Sequence, residues 1–205
     1  MKQYPSIDGP PRFGAPCYVY PKYDGSNIRA EWTRKKGFDK FGSRKVLLGA
    51  DNGQLGGAIA LIQARADEFA AAFRSKPFAK IEKATCFFEY WGDLSFAGLH
   101  DPADKTMRAS LIDVDVYKKG QMDPRDFNDF ALMIEGASPV LESRFNQPMA
   151  DLVRRGEFTG QTFEGVVCKL PPERPWQPPY MFKLKSEAWV ARVKARYGDK
   201  AEELL

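Results

Sequence analysis

The sequence has few of the residues on which metal-dependent and thiol-dependent sites are built. It contains a single histidine, His100, and three widely separated cysteines, Cys17, Cys86 and Cys168. This spacing excludes a zinc knuckle and a disulfide framework, and one histidine gives little basis for a Ser-His-Asp hydrolase. Because free cysteines are usual in a reducing compartment, we expect a cytoplasmic protein.

Long hydrophobic runs and a strong net charge are also absent. No stretch suggests a transmembrane helix or a signal peptide, and we therefore expect no membrane partner. The 31 basic and 27 acidic side chains leave a net charge of +4, which permits a polyanionic partner without requiring one. A chain of 205 residues with 43% hydrophobic content predicts one domain over residues 1–205, which we expect to be monomeric.

Short strands and a few helices are what the sequence does contain. Alternating apolar residues on both sides of Lys22 predict two strands, joined by a tight turn at Asp24-Gly25. Asp123 and Ser186 are expected helix caps. Further strands are predicted at 84–91, 110–117, 163–169 and 181–185, and helices at 57–74, after 123, at 149–155 and after 186. This mixture predicts an α+β domain with mainly antiparallel sheets flanked by helices.

Several charged residues stand where a purely structural role does not require them. A carboxylate within a strand is costly to bury unless it accepts hydrogen bonds or faces a cation. Each such residue has a structural explanation, for example an edge strand with one wet face. Together they form the set of cations and carboxylates that a nucleoside triphosphate and its metal need. They are Lys22, Arg44, Glu89, Glu164, and the same-face pair Lys183 and Lys185.

The order of these residues resembles the motif set of covalent nucleotidyltransferases, which include ATP-dependent DNA ligases, RNA ligases and mRNA capping enzymes. The resemblance spans residues 22–185 and implies a nucleotidyltransferase (ligase adenylation) domain. Its elements are Lys22-Tyr23-Asp24-Gly25, Arg44, Phe88-Glu89, the strand from Ile112 to Tyr117, Glu164 to Lys169, and Lys183-Leu184-Lys185.

Residues beside the first motif separate the branches of this superfamily. Ser26-Asn27 resembles the nick-sealing RNA ligase 2 family, whereas Asp24 is similar to the DNA ligases and capping enzymes. Only 20 residues follow Lys185, and we therefore expect neither an OB-fold nor a helical C-terminal domain. The resemblance favours an ATP-dependent RNA ligase that seals nicks in RNA repair.

The resemblance also implies a chemistry. Lys22 would attack the α-phosphate of ATP and hold AMP, which would pass to a 5′-phosphate end before a 3′-hydroxyl displaces it. Lys183 and Lys185 would favour the neutral form of Lys22 and neutralise charge that develops on the phosphate.

Further roles follow from the same resemblance. Glu164 would bind Mg²⁺ or Mn²⁺, Glu89 would contact the ribose, and Arg44 would contact the ribose or the phosphates. Asn27 and Asp24 would contact the polynucleotide, which we expect to be RNA or an RNA/DNA nick. The residue beside adenine, usually aromatic in the family, would be Ile112 or Val114, next to an aspartate that is either Asp113 or Asp115.

Two alternatives stay open from the sequence. One is a minimal ATP-dependent DNA ligase, and the other is a nucleotide-binding module with lost or partial ligase chemistry. In either ligase, the basic residues expected along the polynucleotide are Arg34, Lys35, Lys36, Arg154 and Arg155.

Overall fold

The computed structural model describes residues 1–49, 51, 53–93, 95, 104–174 and 177–203, and His100 lies outside them. The strands are β1 (Pro16–Lys22), β2 (Gly25–Thr33), β3 (Gly37–Ser43), β4 (Leu47–Leu48), β5 (Lys83–Trp91), β6 (Arg108–Val116), β7 (Gly120–Gln121), β8 (Leu141–Arg144), β9 (Gly165–Leu170) and β10 (Tyr180–Lys185). The helices are α1 (Gly53–Gln63), α2 (Ala66–Arg74), α3 (Pro124–Ala131), α4 (Gln147–Arg155) and α5 (Glu187–Tyr197), with 3-10 turns at Phe78–Lys80 and Gly198–Glu203.

These strands form two sheets in which every neighbouring pair is antiparallel. One sheet has four strands in the order β10-β9-β1-β8, and the other has six in the order β4-β3-β2-β5-β6-β7. Helices pack on both sheets. The predicted α+β class with mainly antiparallel sheets is confirmed.

The chain passes from one sheet to the other at Tyr23 and Asp24. β1 pairs with β8 and β9, whereas β2 pairs with β3 and β5. The predicted hairpin between β1 and β2 is therefore wrong. Gly25 serves close packing instead, because a side chain there would collide with the carbonyl oxygen of Tyr90 on β5.

The main core lies between the six-stranded sheet and helices α1, α2 and α3. Its largest buried side chains include Ile28, Phe69, Phe73, Phe88 and Phe130. The single helix predicted over 57–74 is two helices, with the break at residues 64–65. The guanidinium of Arg65 at this break donates to the carbonyl oxygens of Ala109 and Glu135, both at 2.5 Å.

A second core forms where the outer face of the four-stranded sheet packs against α4. Cys17, Val19, Val166 and Phe182 contribute from the sheet. α4 is capped by Asn146 and ends as predicted at Gly156, which has a left-handed backbone (φ 80°).

Helix α5 follows directly after β10, at the end of the four-stranded sheet where Lys185 lies. α5 is capped by Ser186, whose hydroxyl accepts from the Trp189 amide. Trp189 and Val193 are its buried residues, whereas Val190 and Tyr197 are only partly buried. None of the described helices is long and apolar enough to cross a bilayer.

The irregular N-terminal segment, residues 1–12, contacts both sheets. Arg29 donates to the carbonyl oxygens of Met1 and Lys2 beside the six-stranded sheet. The Tyr4 ring packs against the Phe87 ring at an interplanar angle of 56°, with ring centroids 5.0 Å apart. From the four-stranded sheet, the Tyr180 hydroxyl donates to the carbonyl oxygen of Pro10 at 2.9 Å.

A bulge in β6 changes the faces that its residues occupy. Phe87 pairs with Asp113 and Phe88 pairs with Leu111, and Ile112 is the extra residue between them. As a result, Ile112 and Asp113 are not part of the main core, whereas Val114 is buried in it. The strict alternation expected from the sequence is wrong at this point.

Arg34, expected to contact a polynucleotide, has a structural role instead. Its Nη2 donates to the carbonyl oxygens of Ala79 and Ile81 at 2.6 and 2.8 Å and to that of Phe73 at 3.2 Å, and its Nε lies 2.8 Å from Glu82 Oε1. These contacts join the turn after β2 to the segment between α2 and β5. Its donors are therefore engaged within the fold.

We expect Arg34→Ala to lower the free energy of unfolding by about 1–3 kcal/mol, because several carbonyl oxygens lose a charged donor. The neighbouring exposed Lys35→Ala should stay within about 0.5 kcal/mol of the wild type. Urea denaturation followed by circular dichroism measures both. Equal stabilities of the two variants would contradict this role for Arg34.

Candidate active site

Side chains from both sheets line one cleft of about 550 Å³. One wall comes from the ends of β1, β9 and β10, and the other from β2, β5 and β6. Its charged lining is mainly positive, which favours a polyphosphate ligand. The cations are Lys22, Arg44, Lys45, Lys169, Lys183 and Lys185, and the anions are Asp24, Glu89 and Glu164.

Strand pairing brings Lys22 and Lys185 together around Glu164. Both lysines pair with Gly165, one from β1 and the other from β10. Lys22 Nζ lies 2.7 Å from Glu164 Oε1, and Lys185 Nζ lies 3.7 Å from the same oxygen. Glu164 directly precedes β9 and does not lie inside it as predicted. Gly165 has a φ of 138°, and any side chain there would collide with the carbonyl oxygen of Leu184.

Burial changes the protonation of this cluster. It raises the pKa of Glu164, although the nearby ammonium of Lys22 opposes the change. Burial also lowers the pKa of Lys185 to about 8; Lys22 and Lys183 add to this effect, and Glu164 opposes it. Lys185 therefore changes charge in the mildly alkaline range.

Trp189 holds the corner that follows Lys22. Its indole Nε1 donates to Asp24 Oδ2 at 3.0 Å, and its ring centroid lies 4.3 Å from Lys185 Nζ. The Thr162 hydroxyl donates to the carbonyl oxygen of Lys22. Asp24 is only 2% exposed, which favours an anchoring role over the polynucleotide contact expected for it. Sequence reasoning missed Trp189, because only the tertiary structure shows that its indole reaches Asp24 and Lys185.

Glu89 and Asn27 face each other across β5 and β2. Exclusion of water raises the pKa of Glu89 to about 8, although Lys22, Asn27 and Arg44 oppose the change. Asn27 Nδ2 donates weakly to the carbonyl oxygen of Phe88 at 3.4 Å, and its Oδ1 is buried with no hydrogen-bond partner among the described residues. An unpaired buried acceptor is costly, and a ligand donor would satisfy it.

Lys169 and Asp113 form a buried ion pair behind the cleft. Lys169 Nζ lies 2.8 Å from Asp113 Oδ2 and 2.9 Å from the carbonyl oxygen of Ile112. It also lies 4.2 Å from the Tyr20 ring centroid. Burial lowers the pKa of Lys169, which its partner opposes. Of the two candidate aspartates, Asp113 is thus the one beside the cleft, whereas Asp115 pairs with Lys2.

Ile112 and Val114 have different positions because of the bulge in β6. Ile112 lines the cleft together with Tyr4 and Ile7. Val114 is fully buried in the main core, away from the cleft. Of the two residues expected beside adenine, only Ile112 is placed to contact a ligand.

Comparisons with known proteins give a fold and no closer assignment. No protein-family model matches the chain, and no curated protein matches it. Solved structures of Naegleria gruberi RNA ligase do match. The structure with PPi has a TM-score of 0.59 and 16% identity over 90% of this chain, and an apo point mutant has a TM-score of 0.59 and 17% identity over 89%. A point mutant with ATP and Mn has a TM-score of 0.58 and 18% identity over 87% of this chain. The chain has the nucleotidyltransferase fold of a ligase.

This nucleotidyltransferase fold extends over part of the matched proteins only. The chain covers 52–53% of those three ligase chains and thus spans about half their length. Within the fold, nine of the ten predicted site residues line the one cleft, and Val114 does not. The nine are Lys22, Asp24, Asn27, Arg44, Glu89, Ile112, Glu164, Lys183 and Lys185.

We expect Glu89→Gln to stabilise the ligand-free protein increasingly as pH rises. The folded state binds the Glu89 proton up to about pH 8, whereas the ordinary value is 4.5, and the wild type therefore loses stability across this interval. The gain in melting temperature should be near zero at about pH 5 and reach a few degrees at about pH 8.

Thermal unfolding at several pH values measures this difference. Glu157→Gln, which alters a carboxylate that is 57% exposed, is the matched control and should show no such trend. A pH-independent effect of Glu89→Gln would refute the assigned pKa.

Proposed function

We propose that the chain is an ATP-dependent RNA ligase that forms a lysyl-AMP intermediate on Lys22, transfers AMP to a 5′-phosphate end and seals that end to a 3′-hydroxyl. The observation that carries the proposal is the position of Lys22. Its side chain is 21% exposed in a cleft rich in cations, 2.7 Å from Glu164. A lysine that is held rigidly and is still accessible can act as a nucleophile.

In the first step, Lys22 Nζ attacks the α-phosphorus. A nitrogen–phosphorus bond forms, the bond to the pyrophosphate oxygen breaks so that pyrophosphate leaves, and the proton of the attacking amine passes to water in the cleft. Lys183 and Lys185 line the same cleft and neutralise negative charge that grows on the phosphate oxygens. Trp189 and Thr162 hold Asp24 and the Lys22 backbone in place, which keeps the nucleophile aligned.

The carboxylates of the cleft fit a divalent cation. Among the described residues there is no group of three or more His, Cys, Asp or Glu side chains that could hold a metal alone. Mg²⁺ typically takes one or two carboxylates together with water and substrate phosphates, and Glu164 would supply the carboxylate. When bound, such a cation neutralises phosphate charge. Naegleria ligase structures with ATP and Mn support this choice.

The remaining residues divide between ATP and the polynucleotide. Ile112 and Tyr4 form the apolar end suited to the base, and the raised pKa of Glu89 suits a carboxyl that bonds ribose hydroxyls. Arg44, at the tip of the turn after β3, is exposed and can reach the phosphates. The orphaned Oδ1 of Asn27 accepts a hydrogen bond in the assembled complex of RNA or an RNA/DNA nick.

We expect the wild type to become labelled when it is incubated with α-labelled ATP and Mg²⁺ or Mn²⁺, and Lys22→Ala to remain unlabelled. Denaturing electrophoresis and peptide mass mapping locate the adduct. Lys183→Ala and Lys185→Ala should each lose at least tenfold in rate, about 1.4 kcal/mol of transition-state stabilisation. Lys119→Ala, on the exposed turn after β6, is the matched control. An adduct on another lysine would refute the proposed mechanism.

Adenylylation should decline above about pH 8, because Lys185 in the ATP-free enzyme loses its charge there. Arginine stays charged, and Lys185→Arg should shift the decline upward by about one pH unit or more. Initial rates at limiting ATP, measured from about pH 6.5 to about pH 10, report the free enzyme. Lys183→Arg is the control, in which the decline should stay near its wild-type position. Identical alkaline limbs in wild type and Lys185→Arg would assign the decline to another group.

A further inference from the structure

Tyr23, Trp91 and Arg108 form a layered stack at the mouth of the cleft. The Tyr23 and Trp91 ring centroids are 4.8 Å apart with an angle of 22° between the planes. The Arg108 guanidinium carbon lies 5.2 Å from the Trp91 centroid. Tyr23 lines the cleft and is partly exposed. The roles assigned to ATP contacts leave this stack unused.

The stack is held in place from behind. Trp91 ends β5, where it pairs with Gly25, and its Nε1 donates to Ser110 Oγ at 3.0 Å. Arg108 is fixed by Asp104, with 2.8 Å between Nη2 and Oδ2. Tyr23 therefore presents its ring on a rigid support at the rim of the cleft.

The surroundings of the stack are basic. Arg44 and Lys45 are exposed on the turn after β3 and line the same cleft, as does Lys183. An aromatic ring in a cleft that cations also line suits a nucleic-acid strand, because the ring can stack on a base while the cations contact its phosphates. A peptide or lipid partner would not use a single flat ring in this way.

We propose that Tyr23, supported by Trp91 and Arg108, is a stacking platform for the base of the nucleotide whose 5′-phosphate receives AMP. This inference rests on the proposed function. Tyr23 directly follows Lys22 and lines the same cleft, and the nucleotide whose 5′-phosphate takes AMP from Lys22 has to enter that cleft. Because every base has a π-face, the platform accepts all four bases.

The test uses protein already loaded with AMP and a nicked duplex with a 5′-phosphate. In single-turnover assays, Tyr23→Ala should lose about tenfold or more in AMP transfer, beyond any change in self-adenylylation, while Tyr23→Phe keeps the ring and most of the activity. Tyr117→Ala is the matched control. It removes a tyrosine that is 57% exposed and lies beside Lys83 and Lys118, outside the cleft.

An abasic substrate makes the test specific. Removing the base of the 5′-phosphate nucleotide should slow the wild type about tenfold and leave Tyr23→Ala with little further loss, because both changes remove the same stack. The inference would be overturned if the losses from Tyr23→Ala and from base removal were independent. It would also be overturned if Tyr23→Ala coupled only with removal of the base at the 3′-hydroxyl side. A wild type that forms no lysyl-AMP would instead overturn the proposed function.

Discussion

The passage of the chain from one sheet to the other directly after Lys22 is the constraint on which the cleft depends. β1 ends in the four-stranded sheet and β2 begins in the six-stranded sheet, and only Tyr23 and Asp24 lie between them. The cleft can therefore lie nowhere but beside Lys22. Asp24 is held by Trp189, and a change at this corner would move Lys22 as well as the wall of the cleft.

The charges of the cleft are arranged at a cost to the fold. Glu89 and Lys185 both have pKa values of about 8, because burial disfavours their charged forms. The buried pair of Lys169 and Asp113 is different, since each charge has a partner at 2.8 Å. Removing one member of such a pair typically costs about 3–5 kcal/mol. The molecule thus keeps a close ion pair beside groups whose charged forms burial disfavours.

The sequence was sufficient for the fold class and for naming nine residues that the fold brings to one cleft, because ordered motifs fix which strand ends meet. The sequence was insufficient where contacts between distant segments decide the local structure. An Asp-Gly pair between two strands looks like a hairpin whether or not the strands share a sheet. The bulge at Ile112 and the division of residues 57–74 into two helices depend on neighbouring elements. Trp189 carries no signal of its function until its contacts with Asp24 and Lys185 are known.

The N-terminal segment joins the two sheets a second time. The first connection is the covalent corner after Lys22, and the second runs from Arg29 through Tyr4 to Tyr180. Two sheets fastened at separate points cannot hinge freely. We therefore expect the width of the cleft to be set during folding. A nucleotide would then bind to a preformed shape and lose little affinity to reorganisation of the protein.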